Sequence, residues 1–165
     1  MKYKIDADAL KFYALTMTEN LKDRHSPDVM ESWARLQRAS GAVLSRVEVH
    51  LKAEGFPPLG WYDVLLELRR AGGVGLRPVD IEKRMLLAQY NVSRLIERLV
   101  AASYVDKRRA PDDGRGVMVC LRPEGEALLE KMWPVYREAV EVEFAAHLDE
   151  EEAETLWKLL GKLLP

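Results

Sequence analysis

The sequence predicts a mainly α chain of the α+β class, with one two-stranded hairpin as its β-structure. Three observations lead there. Apolar residues recur three and four positions apart over most of the chain, the spacing of a helix with one buried face. Between Tyr104 and Leu121 the period drops to two, on either side of the turn cluster Ala110-Pro111-Asp112-Asp113-Gly114-Arg115-Gly116. The chain has 165 residues, 48% of them hydrophobic, enough for one compact core or for two small lobes that share one.

The elements follow in order. Asp6 to Lys22 is predicted as a helix with Ala9, Leu10, Tyr13 and Met17 on one face. His25-Ser26-Pro27-Asp28 interrupts it. Ser26 as cap and Pro27 in the first turn start a longer helix that runs to Glu54. Its stripe is Met30, Trp33, Ala34, Val43, Leu44, Val47 and Leu51. At 1.5 Å per residue this rod is about 40 Å long, more than one small lobe can cover. Gly55-Phe56-Pro57-Pro58 stops it, and Leu59 to Arg70 is a helix with Trp61, Val64, Leu65 and Leu68 facing inward.

Gly72-Gly73-Val74-Gly75 reads as a turn and not as a phosphate loop, because a helix precedes it where such a loop needs a strand. Pro78 opens a helix from Val79 to about Met85, and another runs from about Gln89 to Ala102. Propensity alone also allows one unbroken helix over 79–102. Tyr104–Arg109 and Val117–Leu121 are the strands. After Pro123 an amphipathic helix extends towards His147. Asp149-Glu150-Glu151-Glu152 opens a last one, with acids where the helix dipole favours them. Its stripe is Ala153, Leu156, Trp157, Leu160, Leu163 and Leu164.

Composition excludes several classes of function. No run of about 18 uncharged apolar residues predicts a membrane span. Met1 to Asp6 lacks the apolar stretch of a secretion signal, and Cys120 is the one cysteine, so no internal disulfide forms; a reducing cytoplasm is the expected location. The net charge of −2 hides an asymmetry. Arg69 to Arg122 holds 12 Lys/Arg and 6 Asp/Glu, a net of +6, and the rest holds 13 and 21, a net of −8. A basic middle between acidic ends points to one segment that faces an anion.

That segment contains the chemistry. On the helix before the hairpin, Val92, Leu95, Ile96 and Leu99 form one apolar face. Tyr90, Asn91, Ser93, Arg94, Glu97 and Arg98 lie mostly off it, and side chains of these types bond base edges and phosphates. The hairpin is basic at both ends of its turn, with Arg108 and Arg109 on one side and Arg115 near the tip. An arginine at such a tip suits a narrow minor groove, where negative potential concentrates.

The ordered set of Pro78–Leu86, Gln89–Ala102, Tyr104-Val105, Asp113-Gly114-Arg115 and Leu121-Arg122-Pro123-Glu124-Gly125, closed by His147-Leu148-Asp149-Glu150-Glu151-Glu152 ahead of Leu156, resembles the MarR family of bacterial regulators. The resemblance covers Met30 to the C-terminus. It implies a single domain over 1–165, with a winged helix-turn-helix lobe at 59–121 and a helical dimerisation region at 28–54 and 123–165. It implies no enzyme and no cofactor but a sequence-specific regulator of transcription: a ligand-responsive repressor that binds a pseudo-palindromic operator in double-stranded DNA as a homodimer. Carried over by position, Tyr90, Asn91, Ser93 and Arg94 are the helix readers, with Arg98, Arg108 and Arg109 beside them. Arg115 is the wing contact, held by Asp113 through a charge-assisted hydrogen bond.

The sequence departs from the family pattern in places. Arg122 stands where Thr is usual, Ala88 stands where a capping Ser or Thr would open the recognition helix, and Leu86-Leu87 replaces a Gly-containing turn. An uncapped recognition helix supports an alternative reading, a helical dimeric protein-interaction module whose winged lobe no longer reads DNA.

The resemblance also implies effector binding between the helical region and the winged lobe. Trp33, Trp61 and Tyr62, with Arg46 or His50, are the candidates to receive a small aromatic or phenolic effector. The plainer reading of Trp33 and Trp61 is core. Cys120 reads as a small strand hydrophobe. His25, His50 and His147 have no Cys, Asp or Glu at ligand spacing, so no metal site is expected. No nucleophile–base pair and no cofactor loop is present in the pattern.

Overall fold

The structure, a computed structural model, describes residues 27–86, 91–110 and 116–164. The helix expected over Asp6–Lys22 lies outside them. The chain divides into two compact units, Met1–Ala42 and Val43–Pro165.

The described part of the first unit is the start of helix α1 (Pro27–Ala53). Glu31 pairs with Arg35 at 3.1 Å and Arg38 at 3.9 Å along its surface. Met30 and Trp33 are 59% and 58% exposed, so the stripe read for this helix is not core at its N-terminal end.

In the second unit α1 continues with Val47 and Leu51 buried. The chain turns at Gly55, whose φ of 76° suits glycine, and enters α2 (Leu59–Ala71). Glu48 Oε1 accepts from Leu59 N–H at 3.0 Å, which satisfies one of the open amides at the start of α2. Helix α2 is the centre of the core: Val64, Leu65 and Leu68 are fully buried. Each buried Leu contributes about 1.5–3 kcal/mol of transfer free energy.

A 3-10 turn (Gly72–Val74) leads to Leu76, which exchanges two hydrogen bonds with Val119, at 3.0 and 2.8 Å. The hairpin thus gains a one-residue third strand that the sequence reading missed. Gly75 between them has φ 77°, and a Cβ there would lie 2.3 Å from Val119 O.

Helix α3 (Pro78–Arg84) starts on Pro78, and Met85 leaves helical geometry with ψ 135°. Helix α4 (Val92–Ala101) follows. The span 79–102 is therefore two rods, and the single unbroken helix is excluded. Ser103, at φ 62°, turns the chain into β1 (Val105–Arg109), which pairs antiparallel with β2 (Val117–Leu121) in the register Val105↔Leu121, Lys107↔Val119 and Arg109↔Val117. The strand expected from Tyr104 begins one residue later.

Helix α5 (Pro123–Glu143) packs on α2. Gly125 is needed there because a Cβ would sit 2.3 Å from Tyr104 O and 3.1 Å from Leu65 Cδ2. The helix stops short of the expected His147: Phe144 breaks it at φ −129°, and Ala145–His147 forms a 3-10 turn. Helix α6 (Glu150–Gly161) opens with a reciprocal capping box between Asp149 and Glu152. Its stripe is largely open, with Trp157 75%, Leu163 70% and Leu164 71% exposed. Among the described residues no helix is long and apolar enough to cross a membrane.

Candidate nucleic-acid interface

Helix α4 presents two unlike faces. Val92, Leu95, Ile96 and Leu99 are between 0 and 8% exposed and belong to the core. Ser93, Arg94, Glu97 and Arg98 are exposed. Asn91 caps the helix: its Oδ1 accepts from Arg94 N–H at 3.0 Å. The expectation of an uncapped helix is corrected here. Ala88 lies outside the described residues; α4 starts at Val92, and Asn91 before it has the short side-chain acceptor that a cap requires. Asn91, expected as a reader, has its side-chain carbonyl engaged by the backbone and keeps its amide N–H groups for other partners.

Strand β1 runs beside α4 with Lys107, Arg108 and Arg109 exposed. Lys107 Nζ donates to Glu97 Oε1 across the two elements. Asp106 binds Arg122 at 3.2 Å and lies 3.7 Å from Arg108. Arg122, the uncapped start of α5, also pairs with Glu124 at 3.2 Å. That bond, followed by the one to Asp106, raises the Arg122 pKa further, and the bond from Arg122 lowers that of Glu124. Ala110 N–H donates to Gly116 O at 2.9 Å and closes the base of the hairpin.

The structure thus brings Asn91, Ser93, Arg94, Arg98, Arg108 and Arg109 onto the helix and strand of one lobe. Tyr90, Asp113 and Arg115 lie outside the described residues. Sequence reasoning passed over Lys107. The signal for it was the strand period, which places it on the same side as Val105 and so towards α4.

Four of the five effector candidates, Arg46, His50, Trp61 and Tyr62, belong to the second unit. Arg46 Nε donates to Glu143 Oε2 at 2.5 Å, and His50 Nε2 shares a hydrogen bond with Glu143 Oε1 at 2.8 Å. These two bonds, that of His50 first, hold the Glu143 carboxyl below the usual range. Trp61 is half-buried and meets Tyr104 edge to face at 5.8 Å. Tyr62 is 5% exposed, stacks on Trp133 at 6.4 Å and packs on Tyr136 at 5.2 Å. Trp33 belongs to the first unit.

Tyr62 lines a cavity of about 270 Å³ with Leu59, Leu66, Leu86 and Tyr136, whose charged groups are two acids, Asp63 and Glu67, and two arginines, Arg70 and Arg84; His50 lines another of about 340 Å³ with Val135 and Glu138. Burial raises the pKa of both Tyr62 and Tyr136, so their hydroxyls stay protonated and able to donate. Cys120 is buried at 3% exposure, with Sγ 3.7 Å from Val74 O, as a small strand hydrophobe should be.

A capped helix with one face sealed in the core and the other polar, preceded by a short helix and followed by a basic antiparallel hairpin, is a winged helix-turn-helix, the architecture of proteins that present a helix to a duplex. The MarR family model matches residues 54–116. The multiple antibiotic resistance protein MarR of Salmonella typhimurium is 31% identical over 104 residues, 63% of this chain and 71% of that protein. The chain therefore belongs to the MarR family of transcriptional regulators.

In fold it is similar to Sco3205 of Streptomyces coelicolor, a MarR family transcriptional regulator solved in complex with DNA: TM-score 0.73, 20% identity, 84% of this chain and 87% of that one. It is similar also to Bordetella bronchiseptica BpsR, whose DNA binding is regulated by 6-hydroxynicotinic acid: TM-score 0.68, 29% identity, 78% of this chain and 89% of that one.

Proposed function

We propose that this protein is a cytoplasmic, ligand-responsive repressor that binds a pseudo-palindromic operator in double-stranded DNA as a homodimer. The observation that carries the reading is the outer face of α4: Asn91, Ser93, Arg94 and Arg98 stand clear of the core beside the basic strand β1. A helix of this diameter fits the major groove, and its polar face then meets base edges. Arg108 and Arg109 contact phosphate, and Arg115 with Asp113 forms the wing contact; Tyr90 is the remaining reader.

The dimer is supported by the open apolar side chains Trp157, Leu159, Leu163 and Leu164, which follow one another on and after α6. Two α4 helices related by a two-fold axis then read half-sites about 10 bp apart. The dimerisation region is assigned to 28–54 and 123–165, and the DNA-reading lobe to 59–121. The effector is a small aromatic or phenolic compound, for which the Tyr62 cavity offers a ring-lined wall and the guanidinium groups of Arg84 and Arg70, the latter held by Glu67. BpsR, regulated by an aromatic acid, supports that class.

The test is anisotropy titration of duplexes from the promoters of the protein's own gene and its neighbours. A fragment bound about a thousandfold tighter than a scrambled duplex at the same salt is expected. Equal affinity for every sequence would remove the claim of specificity, and no binding at low salt would remove the DNA-binding reading altogether.

A further inference from the structure

On α4 the line opposite the buried face is Arg94, Glu97 and Ala101, set about one turn apart. Glu97 is thus an acid in the middle of the surface that the DNA-binding reading turns towards phosphate, with Arg94 and Arg98 on either side. A bare carboxylate there repels the duplex. It is not bare, because Lys107 of β1 donates to it. The Glu97 side chain is 66% exposed and that of Lys107 37%, so the pair adds little to folding. Among the described residues, Arg94, Arg98 and Arg109 form no ion pair, and Lys107 is the cation of this surface that an acid of α4 holds.

We infer that Glu97 is a positioning residue that withholds Lys107 from phosphate and so limits the sequence-independent part of DNA binding. The inference rests on the DNA-binding reading above. Phosphate contacts carry affinity for any duplex and no sequence information. With one such contact withheld, a larger share of the total affinity depends on base edges. The salt bridge is therefore a device of specificity, built from two charges that cancel until one is removed.

The two partners must then act in opposite directions. Binding to a mixed-sequence 30-bp duplex is titrated by anisotropy between 50 and 200 mM salt, with melting temperatures recorded to confirm folding. Glu97→Gln frees Lys107: binding tightens several-fold, and the affinity lost across that salt range grows by a further factor of about 3.5, the value of one added phosphate contact. Lys107→Gln leaves Glu97 bare and weakens binding. The double variant returns close to wild type, because both charges are gone.

A pair that merely braces helix against strand gives weaker binding in both single variants, and that result overturns the inference, as does an unchanged salt slope in Glu97→Gln. Either would leave the DNA-binding reading intact. Wild-type protein that binds no duplex at low salt would instead remove that reading, and this inference with it.

Discussion

Asn91 Oδ1 accepts the backbone N–H of Arg94 at 3.0 Å, so the residue that begins the exposed face of α4 also holds the helix end in place. Replacement by Ala removes that acceptor and costs about 1 kcal/mol. Asn91→Ala should therefore lower the melting temperature by about 2–4 °C, while Asn91→Asp, which keeps an acceptor, should not. Calorimetry on the two variants decides this. Equal melting of Asn91→Ala and wild type would show that α4 does not depend on its cap.

The clamp on Glu143 predicts a pH dependence. The His50 bond and, after it, the Arg46 bond depress the Glu143 pKa below its ordinary 4.5. A depressed carboxyl contributes stability that is present above the unfolded value and is lost as the pH falls through the folded value. Glu143→Gln should melt earlier than wild type at pH 7, and the difference should close as the pH is taken below 4.5. Melting curves from pH 7 to 3 check this. A gap that stays constant with pH would mean that Glu143 acts by packing alone.

Gly73 and Gly75 share one loop and should respond differently. Gly75 has φ 77°, and a Cβ there would meet Val119 O at 2.3 Å and Cys120 Sγ at 2.7 Å; Gly73 has nothing within 4 Å of that position. Gly75→Ala should destabilise by about 1–3 kcal/mol or more, through strain and overpacking. Gly73→Ala should stay within about 0.5 kcal/mol of wild type. Denaturant midpoints of the two, with m-values to confirm a common transition, are the measurement.

Trp157 tests the proposed homodimer. It is 75% exposed in the single chain, and an indole left in water on an otherwise amphipathic helix is expected at a subunit interface. Trp157→Glu should sediment as a monomer at concentrations where wild type is a dimer, and should lose most of its operator affinity. A dimer of unchanged strength would move the interface away from α6.

The Tyr62 cavity predicts ligand-dependent stability. An aromatic carboxylate such as salicylate, at 100 times its Kd, should stabilise the folded protein by about 2.7 kcal/mol. Arg84→Ala should reduce the thermal shift several-fold, because of the two guanidinium groups that line the cavity, Arg84 and Arg70, the second is held by Glu67. Wild-type protein that shows no shift with any aromatic acid tried would exclude this class of effector.

The elements of the winged lobe were legible because each is written locally. Helical spacing gave the sealed face of α4, the change to a two-residue period gave β1 and β2, and Pro78, Pro123 and Asp149 marked helix starts that the structure reproduces. The cap of α4 was less legible, because the family pattern points to the position of Ala88 while the acceptor chemistry belongs to Asn91. The end of α5 was also hidden, since nothing between Glu143 and His147 breaks a helix by propensity alone.

The sequence by itself determined which faces are apolar, where the helices start and that a basic stretch surrounds the hairpin. These follow from the period and identity of neighbouring residues. Only the tertiary structure decided that Lys107 belongs to Glu97, that Arg46 and His50 share Glu143, that Leu76 joins the hairpin and that Tyr62 faces a cavity. The physical reason is distance along the chain. Arg46 and Glu143 are 97 residues apart, and such partners meet only when the core has fixed the angle between two elements, which no local rule encodes.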